Sequence, residues 1–162
     1  MEIKKFTKRN FEVFCEIYQQ GIDTGMATFQ TSLPSWNAWH KAHVSFCRLG
    51  MFEHDKLIGW CALSQVSKRE VYKGVAEVSI YVHSDYRNKG VGKMLLQKLI
   101  IESERNGIWT LQSSIFPENK SSIQLHLNYG FNIVGIREKI GQKDGIWKDN
   151  LLLERRSKRV GI

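Results

Sequence analysis

The 162-residue sequence predicts a single mixed α/β domain. Three observations carry that reading. Residues 75–82 alternate with period two, residues 91–105 repeat at helical spacing, and a glycine-bearing loop joins the two runs. Composition agrees: hydrophobic residues make up 42% and only two prolines occur, so the chain reads as globular. A chain of this length buries a proper core.

Taken in order, Ile3–Phe6 is a short strand. Phe11, Phe14, Ile17 and Tyr18 then recur at helical spacing and place a helix at about 10–20. Gly21–Leu33 reads as a loop carrying Thr24-Gly-Met-Ala-Thr-Phe29. Pro34 and Ser35 open a second helix containing Trp36, Trp39, His40 and His43. Arg48–Glu53 and Lys56–Gln65 form a hairpin turned at His54-Asp55. In the strand Val75–Val82, Ala76, Val78, Ile80 and Val82 face one way, and Glu77, Ser79 and Tyr81 the other. The helix at 91–105 puts Val91, Met94, Leu95 and Leu99 on one side, and Gly107 stops it. Trp109–Ser114 is a further strand. A short helix at about 120–129 ends at Gly130. Two last strands, near 131–141 and 146–154, meet at Lys143-Asp144-Gly145, a hairpin turn sequence. The order is βααβββαβαββ, with no internal repeat, linker or low-complexity stretch.

No apolar stretch approaches the ~20 residues of a membrane span. The amino terminus lacks the apolar core of a signal peptide. Cys15, Cys47 and Cys61 are odd in number and widely spaced, which fits reduced thiols and a cytoplasmic location. The net charge of +8 is concentrated at Lys4, Lys5, Lys8 and Arg9 and at Arg155, Arg156, Lys158 and Arg159. A nucleic-acid surface is one use of such charge, and steering of an anionic ligand is another. No RNA-binding motif or zinc-finger spacing accompanies it, so nucleic-acid binding is not expected. His40 and His43 lie three apart on a helix without a nearby third ligand, and no metal site is expected.

Residues 87–92 read Arg-Asn-Lys-Gly-Val-Gly between a strand and a helix. Glycines allow close backbone approach, and the first helical amides have no internal partners and lie at the positive end of the dipole. Together they form a pyrophosphate cradle, unless the glycines only close the turn. No Gly-Lys-Ser/Thr follows, as a Walker A loop requires. Leu95 stands where a dinucleotide-binding fingerprint needs its third glycine. Glu77 is a carboxylate in mid-strand, ten residues before Arg87. It is either an edge or ion-pair position or a general base, a role suited to a carboxylate in a partly apolar pocket. Ser122, His126 and Tyr129 share a helical face, and a lone helical His is either a satisfied core residue or a proton carrier.

The loop resembles the Arg/Gln-x-x-Gly-x-Gly/Ala signature of the GNAT superfamily of acyl-CoA-dependent N-acetyltransferases, with Arg87, Gly90 and Gly92 at the matching positions. Superfamily members commonly read Asn-x-x-Ala-x-x-Leu-Tyr-x-x-x-Gly-Phe where this chain has Asn119 to Phe131, across the short helix at about 120–129. Here Asn119, Ser122, Leu125 and His126 stand there, so His126 replaces the tyrosine that often protonates the leaving thiolate. Ile17-Tyr18 followed by Ala27-Thr28-Phe29 and Pro34-Ser35-Trp36, then Arg69-x-x-Tyr72, the 76–82 run, the Leu125-His126 pair and Gly145-Ile146-Trp147-Lys148-Asp149 resemble the phosphinothricin and methionine sulfoximine N-acetyltransferase branch.

The resemblance implies one N-acetyltransferase domain over 1–162, with a central twisted, mostly antiparallel sheet flanked by helices. It implies an enzyme using acetyl-CoA as co-substrate, without a metal. The acetyl group would pass to the primary amine of a small amino-acid-like acceptor of the phosphinothricin, methionine sulfoximine or methionine sulfone type, in a direct-transfer ternary complex. Glu77 is then the general base and His126 a proton donor or a contact. Tyr81 and Val82 polarise the thioester. Arg87, Asn88, Lys89, Gly90, Val91, Gly92 and Lys93 hold the pyrophosphate, and Asn119 and Ser122 meet the cofactor arm. Phe29, Arg69 and Tyr72 border the acceptor, Arg69 as either a carboxylate grip or a loop charge. A homodimer is implied as well. The alternatives are a GNAT enzyme for a polyamine, aminoglycoside or protein N-terminus, and a non-catalytic acyl-CoA-binding module.

Overall fold

A computed structural model describes all residues, Met1–Ile162. Seven strands form one sheet in the order β1-β2-β3-β4-β5-β7-β6. The strands are β1 (Glu2–Lys5), β2 (Leu49–Glu53), β3 (Lys56–Gln65), β4 (Val75–Val82), β5 (Thr110–Ile115), β6 (Asn132–Lys143) and β7 (Ile146–Arg156). The helices are α1 (Phe11–Asp23) and α2 (Trp36–Ala42), both between β1 and β2, then α3 (Val91–Arg105) between β4 and β5, and α4 (Lys120–Asn128) between β5 and β6. Three short 3-10 turns, at Lys8–Asn10, Glu70–Tyr72 and Ser84–Tyr86, interrupt the connections and leave no periodic trace in the sequence. All neighbouring strands are antiparallel except β4 and β5. That parallel pair needs a crossover, and α3 supplies it.

Central strand β3 shows why the sheet is two-faced. Trp60 and Ala62 pack with Phe14, Ile17 and Trp39 of α1 and α2. Cys61 and Leu63 pack with Leu95, Leu96 and Leu99 of α3. Alternation thus sends successive side chains into two cores. The hairpin turns follow residue chemistry: His54 and Asp55, and again Asp144 and Gly145, hold positive φ at both central positions, the geometry of type I′ turns.

Three elements outrun their expected bounds. Helix α1 continues through Gly21 to Asp23, although glycine is a poor helix former. The reason is tertiary: a Cβ at Gly21 would lie 2.6 Å from two atoms of the Tyr81 ring, so the helix can approach the sheet only with glycine there. Strand β6 extends to the tight turn at Lys143 and β7 runs on to Arg156, and β6 slips register between Arg137 and Gly141, where Lys139 takes φ +47° and donates its N–H to Asp149.

Candidate active site

The parallel pairing of β4 and β5 ends at Glu77 opposite Gln112. Beyond that point β5 continues with β7 alone, pairing through Ile115 with Leu151. The two strands therefore part immediately past Glu77, and a cavity of about 500 Å³ occupies the opening. Val75 accepts from the Val66 N–H and His83 donates to the Ile58 carbonyl, so the odd-numbered residues of β4 bond to β3. Strand alternation turns the backbone groups of Val78, Ile80 and Val82 toward the open edge, where β5 no longer meets them.

Glu77 lines the cavity, half-buried, and its Oε2 accepts a 2.8 Å hydrogen bond from Gln112 Nε2. It takes part in no ion pair. Its strand neighbours Ser79 and Tyr81 line the same wall. The Tyr81 ring is stacked on Trp60 at 4.8 Å, and burial pushes its hydroxyl proton affinity up. Across the gap stand Ser113, Ser114 and Ile115 of β5 and Phe116.

The loop after α1 roofs the cleft. Lys143 Nζ donates to the Thr28 carbonyl at 2.7 Å, and Asn119 Nδ2 to the Met26 carbonyl at 3.3 Å. Phe29 meets Phe116 edge-on at 4.7 Å and lies against Gly141, where a Cβ would come within 3.1 Å of its ring. Ala27, Thr28, Phe29 and Gln30 all line the cavity.

Helix α4 closes one side with Asn119, Ser122 and His126. Asn119 also caps the helix, its side chain accepting from the Ser122 N–H at 3.2 Å. His126 is 1% exposed, and its Nδ1 lies 2.7 Å from the Ser122 carbonyl. A carbonyl only accepts, so Nδ1 carries the proton and Nε2 presents a bare lone pair. That Nε2 is buried without a partner. Burial lowers the ring's proton affinity below its usual 6.5.

The glycine loop stands beyond the end of β4 and does not line this cavity. Gly90, at φ +81°, caps α3 in the left-handed region, and Asn88 has φ +59°. A Cβ at Gly92 would touch Leu125 at 3.4 Å. Val91 is buried, and Val82 packs against the core. Arg87, Lys89 and Lys93 have no carboxylate partner, and the first turn of α3 holds no acidic residue. Cations and free helical amides are thus gathered just beyond the end of β4.

Arg69 and Tyr72 lie apart from the cavity on the β3–β4 connection, with the guanidinium 5.3 Å from the exposed Tyr72 ring. Of the expected site residues, the cavity brings together Glu77, Tyr81, Phe29, Asn119, Ser122 and His126. Tyr18, part of the Ile17-Tyr18 element of the branch pattern, also lines it, as do Arg137 and Asn150, which carry no motif that marks them in advance. His43 lines it too, but its Nδ1 is bound to the Trp39 carbonyl at 2.8 Å and its ring is stacked on Trp39. His40 is tied by its Nδ1 to Arg48. No three His, Cys, Asp or Glu side chains gather in a metal-binding group, and no helix is long and apolar enough to cross a membrane.

Residues 25–152 match the Acetyltransferase (GNAT) domain family, and the chain belongs to that family. Among relatives, the L-methionine sulfoximine/L-methionine sulfone acetyltransferase of Pseudomonas aeruginosa is 36% identical over 94 residues. That stretch covers 58% of this chain and 55%, about half, of that relative's length. The phosphinothricin N-acetyltransferase of Alcaligenes faecalis is 30% identical over 146 residues, 86% of this chain and 74% of that one. The structure of a GNAT superfamily phosphinothricin acetyltransferase from Sinorhizobium meliloti in complex with AcCoA superposes with a TM-score of 0.89 at 26% identity, over 99% of this chain and 90% of that chain.

Proposed function

We propose that residues 1–162 form one N-acetyltransferase domain that moves the acetyl group of acetyl-CoA to the primary amine of a small amino-acid-like acceptor, of the phosphinothricin, methionine sulfoximine or methionine sulfone type. The observation that carries this reading is the parting of β4 and β5 just beyond Glu77, which leaves one carboxylate beside an open strand edge. Relatives named for these acceptors support the substrate class. A cavity with a single carboxylate suits a monoamine better than a polycation.

In this reading the pyrophosphate lies against the amides of residues 89–93, with Arg87, Lys89 and Lys93 adding charge and Asn88 shaping the turn. The acetyl-pantetheine arm follows the open edge of β4 past Asn119 and Ser122. Backbone N–H groups at the Tyr81–Val82 end, Val82's being turned to that edge, donate to the thioester carbonyl and stabilise the oxyanion that develops there. Glu77 takes a proton from the acceptor ammonium, directly or through a water, freeing the lone pair for attack. The N–C bond forms, the C–S bond breaks, and the proton released from the tetrahedral nitrogen balances the departing thiolate. Holding both reactants in one cleft removes the entropic cost of their encounter.

His126 fits this scheme as an acceptor. Donation from Nε2 would need the imidazolium, which burial opposes. Its lone pair suits an N–H or O–H of the bound cofactor arm. Phe29, Arg69 and Tyr72 remain the proposed border of the acceptor, with Phe29 alone lining the cavity of a single chain. Three free cysteines accord with a cytoplasmic location, and a homodimer is the proposed assembly.

The test is thiol release from acetyl-CoA over a panel of phosphinothricin, methionine sulfoximine, methionine sulfone, polyamines and peptides, with Glu77→Gln as control. Selective turnover of the first three, lost in Glu77→Gln while acetyl-CoA still binds, is expected. Turnover confined to polyamines or peptides would overturn the acceptor assignment, and normal turnover by the variant would overturn the base.

A further inference from the structure

We infer that Arg137 anchors an oxyanion of the acceptor and thereby sets which amines the site accepts, an inference that rests on the acetyl-transfer reading above. The sheet's alternation places Arg137 on the face that carries Glu77. Leu151 and Leu153 of β7 lie in the core packed by α3, so Asn150, the residue before Leu151, points to the opposite face. Arg137 is paired with Asn150 across β6 and β7, and directly paired residues share a face. Gln112, which bonds Glu77, lies on that same face. The glycine loop belongs to α3, on the other face of the sheet. Arg137 is therefore on the acceptor's side of the sheet and away from the pyrophosphate cradle.

Charge makes the placement informative. Arg137 is the only lysine or arginine lining the cavity, and Glu77 the only carboxylate. Neither has an ion-pair partner, whereas Lys143 nearby is committed to the Thr28 carbonyl. Three strand steps of ~4.8 Å and about four residues of ~3.3 Å along the strands separate the two Cα atoms by roughly 19 Å. That is too far for the side chains to meet, and it leaves a gap for a small molecule between them. One cavity thus offers an unpaired anion at one end and an unpaired cation at the other. The complementary ligand has an amine at one end and an oxyanion several ångströms away. A guanidinium fits a carboxylate or phosphinate through two parallel N–H···O bonds. In an amino-acid acceptor that oxyanion is the α-carboxylate or a side-chain acid, and the experiment separates the two.

The test compares wild type, Arg137→Gln and Arg137→Lys on phosphinothricin, methionine sulfone and methionine sulfone carboxamide, the last lacking the α-carboxylate. Arg137 is exposed, so the variants are expected to fold, and a melting curve checks that. Arg137→Gln should raise KM for the oxyanion-bearing acceptor roughly 10- to 100-fold with KM for acetyl-CoA held, and Arg137→Lys should recover part of the loss. Collapse of the acid-to-carboxamide KM ratio would assign the α-carboxylate. A rise for phosphinothricin alone would assign the side-chain acid. Equal KM changes for acid and carboxamide, or none, in a wild type that turns over these amino acids would overturn the role of Arg137 and leave the acetyl-transfer reading intact. A wild type that acetylates none of them would overturn both.

Discussion

His126 is held at one nitrogen and open at the other, and that asymmetry has a pH signature. Burial lowers its proton affinity below 6.5, and His43 is lowered likewise, by burial first and by the Arg48 charge. Below about 6.5 the unfolded chain binds protons that the folded chain refuses. Stability is therefore full above that pH and declines as pH falls toward the folded values. The melting temperature should drop between about pH 7.5 and 5.5, and His126→Gln should flatten part of that slope. An unchanged slope in the variant would contradict the buried neutral ring. The helical spacing of Ser122, His126 and Tyr129 was legible in the sequence. The ring's tautomer was not, because it depends on how α4 seats against the cleft. Arg137 was illegible as a site residue for a related reason. Its face follows from the hairpin's alternation, but its place along the strand depends on a bulge at 138–140 that no turn residue announces.

At the scale of elements, the site depends on how closely α3 approaches the sheet. Gly59 of β3 faces the start of that helix. A Cβ there would lie 3.0 Å from Val91 Cγ1, 3.2 Å from Leu95 Cδ1 and 3.1 Å from the Tyr81 carbonyl oxygen. The two side chains can shift, but the backbone oxygen is held in the β3–β4 ladder. Gly59→Ala should therefore cost about 1–3 kcal/mol in denaturant unfolding and raise KM for acetyl-CoA by displacing the first turn of α3. Loss of stability with an unchanged KM would separate this contact from the cofactor site. Strand β4, the glycine loop and α3 were readable because alternation, glycine spacing and helical period coincide there. The opening between β4 and β5 was not, since both strands keep their alternation on either side of Gln112. Only the pairing partners change, and pairing is a long-range property.

At the scale of the molecule, the sheet ends on an uncovered edge. β6 is the last strand in order and exposes Ile133, Val134, Ile136 and Ile140, with Ile146 and Trp147 at the turn end of the same hairpin. Long apolar edge strands pair with other chains unless charge, proline or a bulge blunts them. Here the bulge near Lys139 interrupts the edge, yet six large apolar side chains remain on one hairpin, the kind of patch that marks an interface. A second copy of the chain is the proposed occupant, in keeping with the homodimer proposed above. Light scattering after size exclusion should give about twice the 18.8 kDa chain mass at micromolar concentration. Trp147→Glu should shift the distribution toward monomer, since a carboxylate is costly to bury without a partner. A wild-type mass of one chain across that range would remove the dimer. A dimer untouched by Trp147→Glu and by Ile136→Glu would move the interface off this edge.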